Sequence, residues 1–325
     1  MGGLEAVSGS SVTLYAAGST GYGSAPTTLG TKASSPLGSF SISYAKPATS
    51  RLLYLVATGG NAGLGVNGAI KLMAVYGLSS SLPPGSVAIN ELTTAAAVWP
   101  TAQFVTAGTP QNLGTSSTNA KGLTNALAGI KNLVNVSTGQ LSSFLPTSAR
   151  CSAAPPPANC LTERKLDALA DVLAACVHSS GPSGAFPTDC SSITSASPPC
   201  DQLLCYTKAT NTLGAAINEA LNPTVVSPLS HKSLPFNLVT SGSPFQPIPA
   251  STPNDLTLGL NYVTPAATNG IAIDAAGNAW VVSNGLLEFG PSGALLSPAT
   301  GFSGGGLNMT SASNAPRSTR WGMSG

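Results

Sequence analysis

The sequence predicts a multidomain fold that is β-rich at both ends and α-helical in the middle. Two observations predict it. Short runs of β-branched and aromatic residues, separated by Gly, Pro, Ser and Thr, occupy the two ends, whereas apolar residues recur at helical spacing between them. All six cysteines fall inside the helical part. The middle of the chain is therefore expected to be cross-linked by disulfides as well as packed.

The composition narrows the class of protein. Only 7% of the 325 residues are charged, whereas an ordinary soluble domain carries about 25%. The net charge of +2 comes without a basic cluster, so the electrostatic footprint of a nucleic-acid-binding protein is missing. No apolar run approaches the length of a membrane helix, which is about 18 residues. We therefore expect no nucleic-acid partner and no membrane span.

The same pattern divides the chain into four segments. We expect a β-sandwich over residues 1–80, an α-helical domain with the six cysteines over 86–230, a Pro-rich connector over 231–261, and a partial β-propeller over 262–325. In the propeller segment, a second blade is expected to break off after about residue 308.

The N-terminal segment carries three strand signals. Val12–Ala16 contains β-branched and aromatic residues, and Ser39–Tyr44 alternates with period two. Leu52–Ala57 is continuously apolar, which is typical of a strand buried on both faces. Gly, Pro, Ser and Thr separate these runs at a spacing that favours a sandwich.

A glycine motif follows the apolar strand. Gly63–Gly68 spells G-x-G-x-x-G, the pattern of a dinucleotide site, and Glu91 lies near the position of the ribose-binding acid. Such a site requires a helix directly after the motif, whereas Ala69–Tyr76 is short and strand-like. We therefore interpret the motif as a loop between two strands.

Four stretches of the middle segment have apolar residues three and four positions apart, as on one face of a helix. They are Glu91–Phe104, Asn119–Val136, Thr162–Val177 and Tyr206–Leu221. We expect Pro100 to kink or break the first helix, Thr162 to cap the third and Pro223 to close the fourth.

The cysteines form an even, clustered set, which predicts disulfides and an oxidising compartment. They are Cys151, Cys160, Cys176, Cys190, Cys200 and Cys205. Zinc is the alternative, but only Cys200 and Cys205 are close in sequence, and their linker Asp-Gln-Leu-Leu is unlike that of a zinc knuckle. Of the possible pairings we favour Cys176 with Cys200, which joins the end of one helix to the start of the next.

The C-terminal segment returns to strand-like sequence. Asn269–Asp274 and Asn278–Val282 are predicted strands around a tight turn, and Leu286–Phe289 and Ala294–Leu296 supply two more. Four short antiparallel strands in succession indicate one propeller blade.

Four residues of this blade have predicted roles. Asp274 caps the turn through its carboxylate with Asn278 beside it, Gly277 takes a positive φ, and Trp280 packs between blades. Asp274 and Asn278 also suggest calcium ligands, but one carboxylate and one amide fall short of the six or so oxygens that calcium takes. We predict no metal.

These residues carry a family resemblance. Residues 270–282 and 287–294 resemble NHL-type propeller repeats, above all those of secreted bacterial proteins akin to the streptogramin lyases. Val7–Tyr15 and Leu53–Gly60 resemble the immunoglobulin-like β-sandwich of carboxypeptidase-regulatory-like domains, which precedes the propeller in a group of uncharacterised bacterial surface proteins. Streptogramin lyases use His and Glu across a closed ring; the blade here has Glu288 but no His, so no catalytic residue carries over.

The two ends of the chain depart from this pattern. Met1–Glu5 lacks the basic and apolar stretches of a signal peptide, so we expect the signal upstream. Residues 304–308 should open a second repeat, yet the chain ends in the unrelated stretch 317–325. One choice of codons for that stretch, shifted by two nucleotides, encodes Val-Asp-Ala-Leu-Gly-Asn-Val-Trp, which is close to residues 273–280. We therefore expect a frameshift, which the gene sequence would test.

Other patterns carry no catalytic expectation. Gly301–Gly305 spells a nucleophile-elbow motif, but a glycine run replaces the helix that must follow it. His178, at the end of a predicted helix, and His231, in the connector, have no carboxylate at an informative spacing.

We therefore expect a non-enzymatic, extracytoplasmic protein, located outside the cell, in the periplasm or at the cell surface. It would use the propeller as an interaction platform for a protein, peptide or glycan, without a cofactor. One alternative is a streptogramin-lyase-type enzyme whose active-site blades lie outside this chain. The other is a non-functional truncated frame.

Overall fold

The structure is a computed structural model of the chain. It describes residues 5–302, except 82–84, 107, 153, 155, 185–189, 191, 224–233, 252, 254 and 284. The chain divides into two compact units, unit 1 over Met1–Leu260 and unit 2 over Asn261–Gly325. The architecture is mixed, as predicted, with sheets in both units, helices in the middle of the chain and three disulfides.

Unit 1 is built on a four-stranded antiparallel sheet in the order β2-β1-β3-β4. Its strands are β1 (Ser11–Ala16), β2 (Thr27–Ala33), β3 (Leu52–Thr58) and β4 (Lys71–Leu78). The apolar run of β3 is buried along its length because both faces of the sheet are covered. At one edge, β2 exposes Thr and Lys side chains and therefore leaves no apolar row open to another chain.

One face of the sheet packs against the helices. Tyr54, Val56 and Met73 belong to the same buried cluster as apolar residues of the helical layer. Tyr15 lies directly opposite Tyr54 on the neighbouring strand, with ring centroids 5.4 Å apart. The sheet and the helices thus share one core, across the boundary that the sequence suggests between residues 80 and 86.

The other face of the sheet is covered by an irregular segment. Phe40, Ile42 and Tyr44 turn towards this face at alternate positions, as the period-two pattern predicts. Residues 39–44 nevertheless form no ladder, so the prediction of a strand there is wrong. The alternation fixes which side chains are buried, whereas a strand also needs a partner for its backbone.

Seven helices and a short hairpin complete the described part of unit 1. The helices are α1 (Glu91–Thr101), α2 (Ala120–Leu133), α3 (Ser148–Cys151), α4 (Cys160–Val177), α5 (Pro199–Thr207), α6 (Thr212–Leu221) and α7 (Leu234–Asn237). The hairpin pairs β5 (Val134–Asn135) with β6 (Gln140–Leu141). The helix α1 contains Pro100, ends one residue later and continues as a single 3-10 turn over Ala102–Phe104.

Two details of the helix predictions are wrong. The helix α4 begins at Cys160, so Thr162 lies in its first turn and not at its cap; the Thr162 hydroxyl donates to the Gly259 carbonyl instead. The predicted helix over 206–221 is two helices, because Lys208 adopts a left-handed conformation with φ +54°. Asn211 then starts α6 by accepting a hydrogen bond from the Gly214 amide at 2.9 Å.

The segment before unit 2 packs on α4. Lys165 Nζ donates to the Thr257 carbonyl at 3.1 Å, and Asp171 Oδ1 accepts a hydrogen bond from the Phe245 amide at 2.9 Å. Leu256 is buried in the main core of unit 1. The described part of the predicted connector therefore covers one side of α4.

The disulfide framework predicted from the sequence is present. Cys151 pairs with Cys160, Cys176 with Cys200, and Cys190 with Cys205. The bond between Cys176 and Cys200 joins the end of α4 to the start of α5, which is the pairing that the sequence favours. Zinc binding by Cys200 and Cys205 is thereby excluded, because each sulfur is bonded to a different cysteine.

Unit 2 contains a three-stranded antiparallel sheet in the order β7-β8-β9. The strands are β7 (Gly270–Ile273), β8 (Ala279–Ser283) and β9 (Gly285–Phe289). The predicted fourth strand at 294–296 is reduced to one bridge between Phe289 and Leu295. A small core of Val281, Leu287 and Phe289 lies on one face of this sheet.

Candidate functional site

The turn between β7 and β8 is organised around the carboxylate of Asp274. Its Oδ1 accepts a hydrogen bond from the Asn278 amide at 2.9 Å, and its Oδ2 accepts one from Trp280 Nε1 at 3.0 Å. Gly277 has φ +84°, a conformation that costs glycine little, and its amide donates to the Asp274 carbonyl at 3.0 Å. All four residues singled out from the sequence therefore lie in one cluster.

The side chain of Asn278 links two carboxylates in this cluster. Its Nδ2 donates to Asp274 Oδ2 at 3.1 Å and to Glu288 Oε1 at 2.8 Å. The hydrogen bonds from Trp280 and then from the Asn278 backbone lower the pKa of Asp274. The cluster thus holds Asp274 as a carboxylate that fixes the turn and the indole of Trp280.

Replacing Asp274 with alanine tests this role. Because the variant removes the acceptor for the Asn278 amide and for the Trp280 indole, we expect several-fold faster hydrogen exchange at the Asn278 amide. NMR of the full chain would measure this exchange and the shift of the Trp280 indole proton. The Asp274→Asn variant keeps the Oδ1 acceptor and should change the exchange less. Equal exchange rates in all three proteins would contradict the role of Asp274.

An apolar face of unit 2 extends beyond its small core. Ile271 lies opposite Val281 and Ile273 lies opposite Ala279, so both isoleucines share the core face of the sheet. Yet Ile271 is 65% exposed and Ile273 is 63% exposed. Strand β7 is an edge of this sheet, and no further strand among the described residues pairs with its outer side. We call this the β7 surface, defined by Ile271, Ile273 and the open edge of β7.

In unit 1, His178 and Glu91 lie side by side, although nothing in the sequence indicated that they would be close. His178 Nε2 lies 3.5 Å from Glu91 Oε1, where the end of α4 meets the start of α1. The hydrogen bond to Glu91 raises the pKa of His178, and burial partly opposes the shift. The two residues are 87 positions apart, so no local pattern could have indicated the pair.

The helix α4 also carries a buried acidic row that sequence reasoning missed. Glu163, Asp167 and Asp171 follow at four-residue spacing, and each is at most 1% exposed. Burial, reinforced by the charges of Glu163 and Asp171, raises the pKa of Asp167 to about 8. Burial also raises the pKa of Asp171 to about 7, although the hydrogen bond from the Phe245 amide opposes the shift. At neutral pH, Asp167 is therefore largely a neutral acid.

The other motifs considered in the sequence either have a structural role or lie outside the described residues. Gly63–Gly68 is a loop between β3 and β4, and these strands are antiparallel neighbours, which excludes the dinucleotide-binding unit. His231 and residues 303–305 of the nucleophile-elbow pattern lie outside the described residues. In the described part of the chain, the cluster with metal-ligand spacing is Cys151, Cys160 and Glu163, whose two sulfurs are joined in a disulfide.

No protein-family model, curated protein sequence or solved structure matches the chain. The resemblance to immunoglobulin-like domains and NHL repeats therefore depends on the sequence motifs alone. In the part of the chain that the structure describes, no helix combines the length and apolarity needed to cross a bilayer.

Proposed function

We propose that the protein is an extracytoplasmic binding protein and that unit 2 is a blade of an NHL-type propeller. In this proposal the β7 surface recognises an extended, apolar segment of a partner polypeptide. The N-terminal sheet would be the immunoglobulin-like part that the sequence motifs suggest, and it would carry unit 2 without taking part in recognition.

The observation that carries the proposal is the exposure of Ile271 and Ile273. Both continue the apolar row of a buried core onto an open strand edge, where an added strand would cover the side chains and pair with the backbone. Burying an isoleucine contributes about 1.5–3 kcal/mol, so covering both favours binding. Propellers cover such faces with the next blade, and other proteins cover them with a partner.

The disulfides, and not the sheet, support the proposed extracytoplasmic location. All six cysteines are paired, and disulfides persist in oxidising compartments such as the periplasm and the cell exterior. The exported protein carries little charge, and β7 itself has no charged side chain. Both features favour an uncharged partner.

Binding to peptide and glycan arrays tests the proposal. We expect the full chain to bind peptides that alternate Val or Ile with Thr, and to bind scrambled peptides of the same composition more weakly. The double variant Ile271→Lys/Ile273→Lys should weaken this binding at least tenfold, because it places two charges on the surface that the peptide covers.

A matched control carries the same change elsewhere. Leu64 and Val66 of unit 1 are 70% and 80% exposed, so Leu64→Lys/Val66→Lys adds the same charge to equally exposed positions. This variant should bind peptides like the unmodified chain. Binding to glycans alone, or equal peptide binding by both double variants, would overturn the proposal.

A further inference from the structure

Unit 1 contains a cavity where the ends of three strands meet the helix α2. It measures about 460 Å³, a volume typical of small-molecule sites. Its apolar floor is formed by Leu52 at the start of β3, Leu78 at the end of β4 and Leu123 of α2. Leu52 and Leu123 belong to the main core, and Leu78 packs against it. The floor of the cavity is therefore an edge of the core of unit 1.

The rim of the cavity is polar, and its charges are positive. Arg51 and Lys121 line it together with several serines and threonines, and none of the described lining residues is acidic. Only 7% of the residues of this chain are charged. Two cations without an acid beside them therefore give the cavity a positive potential, which attracts anions.

The guanidinium group of Arg51 is held in place by the backbone. Its Nε donates to the Ala17 carbonyl at 2.8 Å, and its Nη2 donates to the same carbonyl. The backbone of Arg51 is fixed as well, because its amide donates to Ser79 Oγ at 3.0 Å and its carbonyl accepts from the Ser79 amide at 2.8 Å. Ala17 also lines the cavity, so these hydrogen bonds keep the guanidinium group at the cavity wall.

The charge of Arg51 has no neutralising partner among the described residues. Arg51 is half-buried, and no carboxylate in the described part of the chain lies within ion-pair distance of it. The Ala17 carbonyl occupies two of the five N–H donors of the guanidinium group. The other three donors are therefore available to a ligand with a negative charge.

We propose that this cavity binds a small organic carboxylate with an apolar body. The carboxylate would accept hydrogen bonds from Arg51, with Lys121 contributing a second positive charge at the rim, while the apolar body lies on the leucine floor. A carboxylate fits because its two oxygens match the planar donors of a guanidinium group. A simple anion would use the same donors but leave the apolar floor uncovered. This site lies in unit 1 and goes beyond the proposed function, which concerns unit 2.

Calorimetric titration of the full chain tests the proposal, with benzoate as the probe. Benzamide keeps the ring but has no charge, and acetate keeps the carboxylate but has no ring. We expect benzoate to bind at least tenfold more tightly than either compound. Arg51→Gln should weaken benzoate binding at least tenfold. Arg150→Gln is the matched control, because it removes the same charge from an exposed residue of α3 outside this cavity, and it should leave binding unchanged.

A second variant keeps the test decisive if Arg51→Gln fails to fold. Lys121 is exposed on α2, so Lys121→Gln should retain the far-ultraviolet circular dichroism and weaken benzoate binding about threefold, as expected for an exposed charge pair. Equal affinity for benzoate and benzamide, no binding of benzoate, or unchanged binding by Arg51→Gln or Lys121→Gln would overturn the proposal. Binding of acetate or inorganic phosphate as tightly as benzoate would also overturn it and indicate a simple anion site.

Discussion

Replacing Cys176 and Cys200 together with alanine is expected to lower the free energy of unfolding of unit 1 by about 3.5 kcal/mol, the chain-entropy value for a closed loop of this length. The disulfide spans 24 positions and is fully buried. Asn67 makes this disulfide more important for stability. The Nδ2 atom of Asn67 donates to the Cys176 carbonyl at 2.8 Å and so ties the loop between β3 and β4 to the end of α4. Denaturation with guanidinium chloride, followed by far-ultraviolet circular dichroism, would measure the loss.

The disulfide between Cys151 and Cys160 provides the control. It spans only 9 positions and is also buried, so its removal leaves a similar gap but releases a shorter loop. We expect Cys151→Ala/Cys160→Ala to cost about 2.7 kcal/mol on the same entropy scale. A larger loss for this pair than for Cys176 and Cys200 would contradict the role given to the longer cross-link.

Replacing Asp167 with asparagine is expected to stabilise unit 1 at alkaline pH. The pKa of Asp167 is raised from its ordinary value of 3.8 to about 8 by burial. The folded protein therefore keeps a proton that the unfolded chain releases, and stability falls as the pH rises from about 4 to about 8. Above pH 8 a buried charge remains, and asparagine removes it with little change of shape. We expect a gain on the order of 2 kcal/mol at pH 9 and little change at pH 4.

The free energies of unfolding of Asp167→Asn and of the unmodified chain, measured at pH 4 and pH 9, would test whether the variant is stabilised only at the higher pH. Asp255→Asn is the opposite control, because hydrogen bonds with Thr257 lower the pKa of Asp255, so its charged form is the one that the fold favours. That variant should lose a little stability at neutral and alkaline pH. A pH dependence of unfolding that is the same in Asp167→Asn and in the unmodified chain would contradict the assignment of a buried neutral acid.

The sequence was most informative where burial repeats along one element. The strand signals at Val12–Ala16 and Leu52–Ala57 agree closely with β1 and β3, because an apolar run in a central strand fixes both its existence and its burial. Strand β2 was missed because most of its residues are exposed at the sheet edge and carry no apolar alternation. Segment 39–44 shows the converse, since its side chains alternate as predicted but no strand among the described residues pairs with it.

Contacts between distant parts of the chain were not predictable from one sequence. The pair of His178 and Glu91 exists only because α1 and α4 pack together, and neither residue has a local signal for it. The acidic row of α4 had a signal, the four-residue spacing of Glu163, Asp167 and Asp171, but acids on a helix usually face water. The cysteine cluster was predictable because clustering and an even count already imply cross-links.

Hydrogen–deuterium exchange of the full chain, with and without the peptide that binds most strongly to the array, would show whether the β7 surface is the binding site. We expect slower exchange for amides of residues 270–273 on binding, since an added strand would cover the β7 surface, and unchanged exchange in the sheet of unit 1. Protection confined to unit 1, or none at residues 270–273, would contradict the claim that the β7 surface is where this protein binds its partner.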